Sequence, residues 1–211
     1  ILYYEGSYHY SAVNNFAAKH AEGSALLFLN DYAEAIEPEW LDEMVRWAEQ
    51  PEIGVVGARL VRSDDRIQHA GIVLGLLGFA GRPFAGAPVN FSGIFGSAEW
   101  YRNYLAVSGD CMMVRRSLFF ELGCFDERIP FCGADVEFCL RAHSHGYRNV
   151  LTPFAMLRSA QSAMNSSPAF NSSLTTLDSD YQKYVREGDP FYNQNLSSRS
   201  TIPQLKRSSK D

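Results

Sequence analysis

The sequence predicts an α/β fold, a mixed and mostly parallel sheet with flanking helices. Two observations carry this. An unbroken apolar run at 25–29 and a mostly apolar one at 53–61, interrupted by Arg59, read as strands buried on both faces of a parallel sheet. Around them, apolar residues recur at helical spacing over 12–20, 40–48 and 136–140. The pattern is Rossmann-like, and in such sheets ligands sit beyond the carboxyl ends of the strands. Asn30, Asp31 and Glu34 stand at such an end, where plain polar capping of a strand is the alternative reading.

Composition narrows the function. At 211 residues and 46% hydrophobic, the chain can build one large domain or two small ones. A net charge of −5 gives no reason to expect a nucleic-acid partner. No apolar run approaches the roughly 20 residues of a membrane span, which leaves peripheral association with a membrane surface open. Tyr3, Tyr4 and Glu5 break the opening apolar stretch, so it does not read as a secretory signal. Cys111, Cys124, Cys132 and Cys139 form no CxxC pair and no metal-ligand spacing. They read as buried free thiols in a reducing, cytoplasmic setting.

In chain order, residues 1–4 read as a strand and 11–20 as a helix closed by Gly23. With the run at 25–30 they make a minimal right-handed βαβ unit. Asn14 and Asn15, in the first helical turn, stand where a side chain either caps the helix or faces a ligand, and capping is the plainer reading. Glu37-Pro38-Glu39 starts a second helix that Pro51 closes. After the strand at 53–61 and the turn Ser63-Asp64-Asp65, residues 67–74 return as a hairpin partner carrying Gln68-His69-Ala70-Gly71. A lone histidine there is more often a satisfied core residue than a catalyst. Residues 75–100, with six glycines and two prolines, read as a long mobile lid. A strand over 104–115 is broken by Ser108-Gly109-Asp110; Ser117 caps a short helix to Leu122, and 134–145 is a helix ended by Gly146. Val150-Leu151 enters one more strand. Residues 1–158 form the main domain, 159–177 a Ser/Asn-rich linker, and 178–211 a helix with an extended tail.

Six motifs, in order, carry a resemblance. They are Tyr10-Ser11-Ala12-Val13-Asn14-Asn15, Leu27-Phe28-Leu29-Asn30-Asp31, Ile67-Gln68-His69-Ala70-Gly71, Cys111-Met112-Met113-Val114-Arg115-Arg116, Gly123-Cys124-Phe125-Asp126 and Phe138-Cys139-Leu140-Arg141. The chain resembles bacterial family-2 glycosyltransferases, inverting enzymes of the GT-A fold, and within them the group that builds rhamnose-containing or O-antigen polysaccharide. The stretch from Asp189 to Ser197 is similar to the ending of that group. Members begin about a hundred residues earlier, with strands that hold the donor nucleotide. The resemblance therefore implies a fragment, comprising the end of the donor half and the whole acceptor half.

The implied chemistry is transfer of a sugar from a nucleoside-diphosphate-sugar donor to a glycan or lipid-linked acceptor, with inversion. Such a displacement needs a base on the acceptor hydroxyl and positive charge on the departing diphosphate. In the family a D-x-D-like turn holds Mg or Mn, an acidic pair on a later helix supplies the base, and a His-rich segment completes the metal site. Here the turn reads Asn30-Asp31-Tyr32, with Tyr32 in place of a carboxylate. The later motif reads Ala134-Asp135-Val136-Glu137, which puts Asp135 at the base position. A carboxylate in the first turn of a helix is equally what the helix dipole favours. The His-rich segment has become Arg158-Ser159-Ala160-Gln161.

The resemblance thus implies Asp135 as the catalytic base, with Asn30, Asp31 and Arg158 on the donor and His69, Gly109, Asp110 and Glu137 on the acceptor. Asp31 is the one remaining metal-ligand candidate, and no metal is expected to be held by the protein alone. Arg158 would then supply the cation for the leaving diphosphate, unless it is an ordinary surface arginine. A degenerate GT-A domain that binds a glycan or a partner without turnover is the alternative function.

Overall fold

A computed structural model describes residues 1–78, 80–160 and 179–207. Residues 1–9 form no regular element, so the expected opening strand and βαβ unit are absent. Helix α1 (Tyr10–His20) leads to β1 (Ala25–Leu29) and the short β2 (Ala33–Ala35). Helix α2 (Trp40–Ala48) precedes the long β3 (Ile53–Arg62) and β4 (Ile67–His69). Two small hairpins follow, β5 (Val73–Leu74) with β6 (Ala80–Gly81) and β7 (Ser92–Gly93) with β8 (Gly96–Ser97). Then come β9 (Arg102–Tyr104), β10 (Cys111–Arg115), α3 (Arg116–Glu121), α4 (Ala134–Ser144), β11 (Arg148–Ser159) and α5 (Ser179–Glu187). Ser117 lies inside α3 and does not cap it. None of the helices among the described residues is long and apolar enough to cross a membrane.

The main sheet has seven strands in the order β1-β10-β3-β11-β2, with β4 added to β3 and β9 to β11. It is mixed, as expected, but the expected parallel majority is not there: only β3 with β11 is a parallel pair. The chain leaves β3 on a long excursion and re-enters through β10, which runs antiparallel between β1 and β3. β1 is correspondingly an edge strand, bonded on one side only. Its Leu26 and Phe28 are buried while Leu29 is exposed, so its apolar run does not mark a strand at the sheet's centre. A run of five residues reports burial of one face and cannot report how many neighbours the strand has.

The two faces of the sheet carry separate cores. On one, Leu26, Phe28, Val55, Met112 and Val114 meet α3 and α4 through Leu118, Phe119, Val136 and Phe138. Phe28, Phe119, Phe125 and Phe138 make a cluster with ring centroids 4.8–5.5 Å apart. Each such pair contributes about 0.5–1.5 kcal/mol beyond its buried area. On the other face, Met44 and Ala48 of α2 pack on Val56, Ala58, Cys111 and Met113. Helix α1 docks by its N-terminus onto the loop before α4: Ser11 Oγ donates to Ile129 O at 2.6 Å, and Asn15 both donates to and accepts from the Phe125 backbone. Asn15 is therefore a long-range clamp rather than a cap.

Residues 75–100 are packed more than a lid would be. Leu76, Phe84, Ala87 and Ala98 are buried, whereas Leu77, Trp100 and the 92–95 tip are exposed, Ile94 most of all at 94%. A later segment straps this region down. Asp189 Oδ2 accepts from Leu74 N, Leu77 N donates to Ser198 O, and Phe84 N donates to Thr201 O. The expected 159–177 linker lies outside the described residues except for Ser159, the last residue of β11, and Ala160, whose N–H donates to Tyr32 O. All four cysteines are free thiols; Cys111 and Cys139 are buried, whereas Cys124 and Cys132 are half-buried. Burial raises the pKa of each above the ordinary thiol range.

Gly57 sets how closely the excursion can return to the sheet. A Cβ there would lie 2.5 Å from Cβ of buried Val107, the residue before Ser108-Gly109-Asp110. Gly57→Ala should destabilise the fold by about 1–3 kcal/mol through overpacking. That exceeds the roughly 0.4–1 kcal/mol gained by stiffening the unfolded chain. Urea unfolding measures the difference; a variant as stable as the parent would mean that Val107 yields freely.

Candidate active site

Five segments converge where β1 ends. The β1–β10 ladder continues one step past Leu29 and Cys111, with Asn30 N donating to Asp110 O at 3.0 Å. That places the Asn30 and Asp110 side chains together. Asp110 Oδ1 accepts from Asn30 Nδ2 and from the Tyr32 hydroxyl, each at 2.7 Å. Its Oδ2 accepts from Arg82 Nη2 at 3.2 Å, and the same nitrogen reaches Ser108 Oγ at 3.4 Å. Burial alone would raise the Asp110 pKa, but Arg82, the Tyr32 hydroxyl and Ser108 outweigh it and hold the carboxyl below its usual range. Burial, reinforced by that carboxylate, moves the Tyr32 phenol well above its ordinary value.

Asp135 enters from the other side of the same loop. It lies in the first turn of α4, with Oδ2 accepting from Gly109 N at 2.8 Å and Oδ1 from Val136 N at 2.9 Å. The Phe125–Phe138 packing and the α1 clamp fix the start of α4, and so fix this carboxylate. Its pKa is raised, first by crowding against protein atoms, with Asp110 adding to that and the Gly109 N–H opposing it. A carboxylate so placed holds a proton more readily than a free one. Tyr10 completes the wall, its hydroxyl 3.5 Å from Gly109 O. Gly109 must be glycine: a Cβ would meet the Tyr10 hydroxyl and come within 3.2 Å of Asp135 Cβ.

The residues expected from sequence therefore divide. Asn30, Gly109, Asp110 and Asp135 come together. Asp31 is exposed beside them, its side chain without a hydrogen-bond or ionic partner among the described residues. His69 is 1% exposed and cannot touch an acceptor; its Nε2 accepts the backbone N–H groups of Gly71 and Ser108, each at 3.3 Å, which supports the loop from below. Glu137, two residues beyond Asp135, points off to another face of α4. There it pairs with Arg141 at 2.6 Å and lines a separate cavity of about 620 Å³. Arg158 is tied to the turn after β3, through Arg62 O and Asp65. The cation at the site is Arg82, from the segment read as a lid. Tyr10 and Arg82 were missed, because only the fold brings them to this loop; Tyr32 and Ser108 were read as a replaced carboxylate and a strand break, without the hydrogen bonds they make here.

The donor set does not suit a protein-held divalent ion. Both Asp110 oxygens are taken by Arg82, Asn30 and Tyr32, and among the described residues no three His, Cys, Asp or Glu side chains converge. Such ions need several oxygen or nitrogen ligands.

No family model matches the chain. It is 41% identical over its whole length to the O-antigen biosynthesis protein RfbC of Myxococcus xanthus, of which it covers 17%. It is 40% identical over 157 residues, 74% of the chain, to the uncharacterized protein y4gI of Sinorhizobium fredii (strain NBRC 101917 / NGR234), again covering 17% of that protein. The chain thus spans about a sixth of the length of these curated relatives. Among solved structures, GalNAc-T7 with UDP, GalNAc and Mn2+ matches 86% of the chain and 37% of its own length, at TM-score 0.62 and 15% identity. The mannosyltransferase PcManGT of Pyrobaculum calidifontis, in complex with GDP-Man and Mn2+, matches 86% of the chain and 50% of its own length, at TM-score 0.50 and 17% identity. Both are GT-A glycosyltransferases, and the chain has their fold.

His69 makes the site's support sensitive to acid. Two N–H groups on Nε2 require a neutral ring. Burial first, then the Arg82 cation, lower its pKa from 6.5 to about 3. The unfolded chain takes up this proton near pH 6.5 and the folded chain does not. The stabilising contribution is therefore complete above pH 6.5 and is lost as pH falls toward 3, at up to about 1.4 kcal/mol per pH unit. The urea midpoint should drop between pH 6.5 and 4.5, and the drop should flatten in His69→Gln, which keeps an acceptor but cannot titrate. An equally steep drop in that variant would locate the effect elsewhere.

Proposed function

We propose that the chain is the transfer centre of a glycosyltransferase that moves a sugar from a nucleoside-diphosphate donor to a hydroxyl of a glycan or lipid-linked acceptor, with inversion. One observation carries the reading. Asp135, with a raised pKa, is bonded to the loop whose next residue, Asp110, is bonded to Asn30 and Tyr32 at the end of β1. A base and a donor-side polar cluster are thus held in one rigid unit, at the strand end where α/β folds place ligands. The relationship to an O-antigen biosynthesis protein supports polysaccharide as the product class.

In this reading Asp135 takes the proton of the acceptor hydroxyl. The freed oxygen forms its bond to the anomeric carbon as the bond to the diphosphate oxygen breaks, and the electron pair leaves with the diphosphate. A single displacement with the base and leaving group on opposite sides inverts the centre. Arg82 is the fixed cation for the leaving group in place of Arg158: Asp110 engages one of its terminal nitrogens, and the rest of the guanidinium is free of partners among the described residues. Asn30 and the exposed carboxylate of Asp31 are on hand for donor hydroxyls. The four free cysteines support a reducing, cytoplasmic site of action.

The test is sugar transfer by the chain, and by the longest natural protein containing it, followed as released nucleoside diphosphate. Asp135→Asn should lower turnover by roughly 10²–10⁴ while donor binding is kept. An undiminished rate would remove Asp135 from the mechanism. Binding of a donor or a glycan with no turnover under any acceptor would favour the non-catalytic module.

Metal use is tested separately by titrating Mn2+ into the isolated chain in a calorimeter. With Asp110 already engaged, no protein-dependent heat is expected without nucleotide. Tight binding would overturn the metal-free reading.

A further inference from the structure

The α2 face of the sheet holds a built feature that the transfer chemistry does not use. The β3–β11 register slips between Thr152, opposite Ala58, and Met156, opposite Arg59, so Pro153, Phe154 and Ala155 bulge out. Bulges re-aim side chains and are frequent beside functional sites. Here the bulge leaves the Phe154 ring 56% exposed. It is nevertheless held firmly. Phe154 N donates to Thr152 Oγ1, and Thr152 donates to Glu43 Oε1 at 2.7 Å. The same buried Glu43 oxygen accepts from Trp47 Nε1 and from the Tyr101 hydroxyl, each at 3.0 Å. The Tyr101 ring lies 5.1 Å from both Phe154 and Trp47. A row of three rings is thus anchored at the surface by one buried carboxylate, where a folding core has no need of it.

Beside the row sits a buried cation short of partners. Arg59 is 7% exposed and forms no direct ion pair among the described residues, Glu99 acting on it only from a distance. Its Nη1 donates to Val89 O and Ala98 O, but Nη2 meets only the Met156 sulfur, a weak acceptor, and Nε meets nothing. Buried guanidinium groups are normally paired, so the missing acceptors are unusual. Arg59, Met156 and Phe154 line one cavity of about 290 Å³ together with Glu37 and Glu39, which are free of partners among the described residues, and with Arg46, whose charge is paired with Glu43.

A ligand for this cavity must accept from Arg59, donate to two carboxylates and lay an apolar face on Phe154. A free anion such as phosphate meets the first condition and is repelled by the glutamates. A neutral saccharide meets all three, because its hydroxyls both donate and accept and its ring presents C–H groups on one side. The volume, near the lower end for small-molecule sites, suits one sugar ring better than a long chain. We infer that the chain carries a second saccharide-binding site, in which Phe154 is the stacking plate and Arg59, Glu37 and Glu39 read the hydroxyls. It lies across the sheet from Asp135, whose helix packs in the opposite core. The inference stands apart from the transfer reaction, since a chain without turnover would keep this site.

Saturation-transfer NMR tests it, with millimolar methyl glycosides of glucose, galactose, mannose, rhamnose and N-acetylglucosamine as probes. At least one should receive saturation, mainly through the ring protons of one face. Phe154→Ala should weaken that binding about tenfold, the worth of one aromatic contact. Its urea midpoint and its sugar-transfer rate should stay near the parent's. The signal should persist in Asp135→Asn. No transfer to any probe, transfer unchanged in Phe154→Ala, or displacement of the sugar by inorganic phosphate would each overturn the inference.

Discussion

The architecture of the site depends on the carboxylate of Asp110. It accepts from Asn30 and Tyr32 on one oxygen and holds Arg82 on the other, while the backbone carbonyl of the same residue closes the β1–β10 ladder. Three separate sequence regions, 30–32, Arg82 and 108–110, thus meet at one residue. The pair with Arg82 is largely shielded, with side-chain exposures of 26% and 15%. It is therefore worth more than the fraction of a kilocalorie typical of surface pairs. Removing either partner would leave the other charge poorly solvated, which is the costly direction. Because Gly109 is next in the chain and bonded to Asp135, movement at Asp110 is transmitted to the proposed base.

That arrangement explains why a tyrosine can stand where the resemblance leads one to expect a carboxylate. Tyr32 does not leave a gap in the charge pattern. Its hydroxyl donates to Asp110, a carboxylate brought in from the loop before β10. The negative charge at the strand end is supplied from elsewhere in the chain, and a fixed arginine already balances it.

Much of the framework was legible because periodicity reports burial directly. β3, α2 and α4 fall within a few residues of where their patterns placed them, since each buries a continuous stripe. What failed was neighbour identity. The run at β1 announced a buried face, and nothing in five residues could say that β10 would be its one partner. The candidate site was half legible. Asn30, Asp110 and Asp135 stand at element ends, where polar residues are conspicuous. Arg82 was hidden in a glycine-rich stretch whose irregularity suggested motion, although Phe84 and Leu76 beside it are deeply buried. Arg158 was chosen for its nearness in sequence to the altered motif, and its strand delivers it to Asp65 instead. Asn15 looked like a cap because it sits in a first turn, yet its partner is 110 residues away.

Synthesis from one end to the other imposes an order on this site. Arg82 lies in a stretch whose backbone N–H groups, at Leu74, Leu77 and Phe84, are satisfied by residues 189–201. These contacts span more than a hundred residues, the slowest kind to form. While a ribosome is still making residues 189–201, Asp110 and Asp135 have already emerged and can find their places with β10 and α4. The segment that bears the cation has early partners in Ile67 and β5, but its bond to Thr201 must wait for the end of synthesis. The nascent chain can thus bring its acids together before the strap that secures its arginine exists.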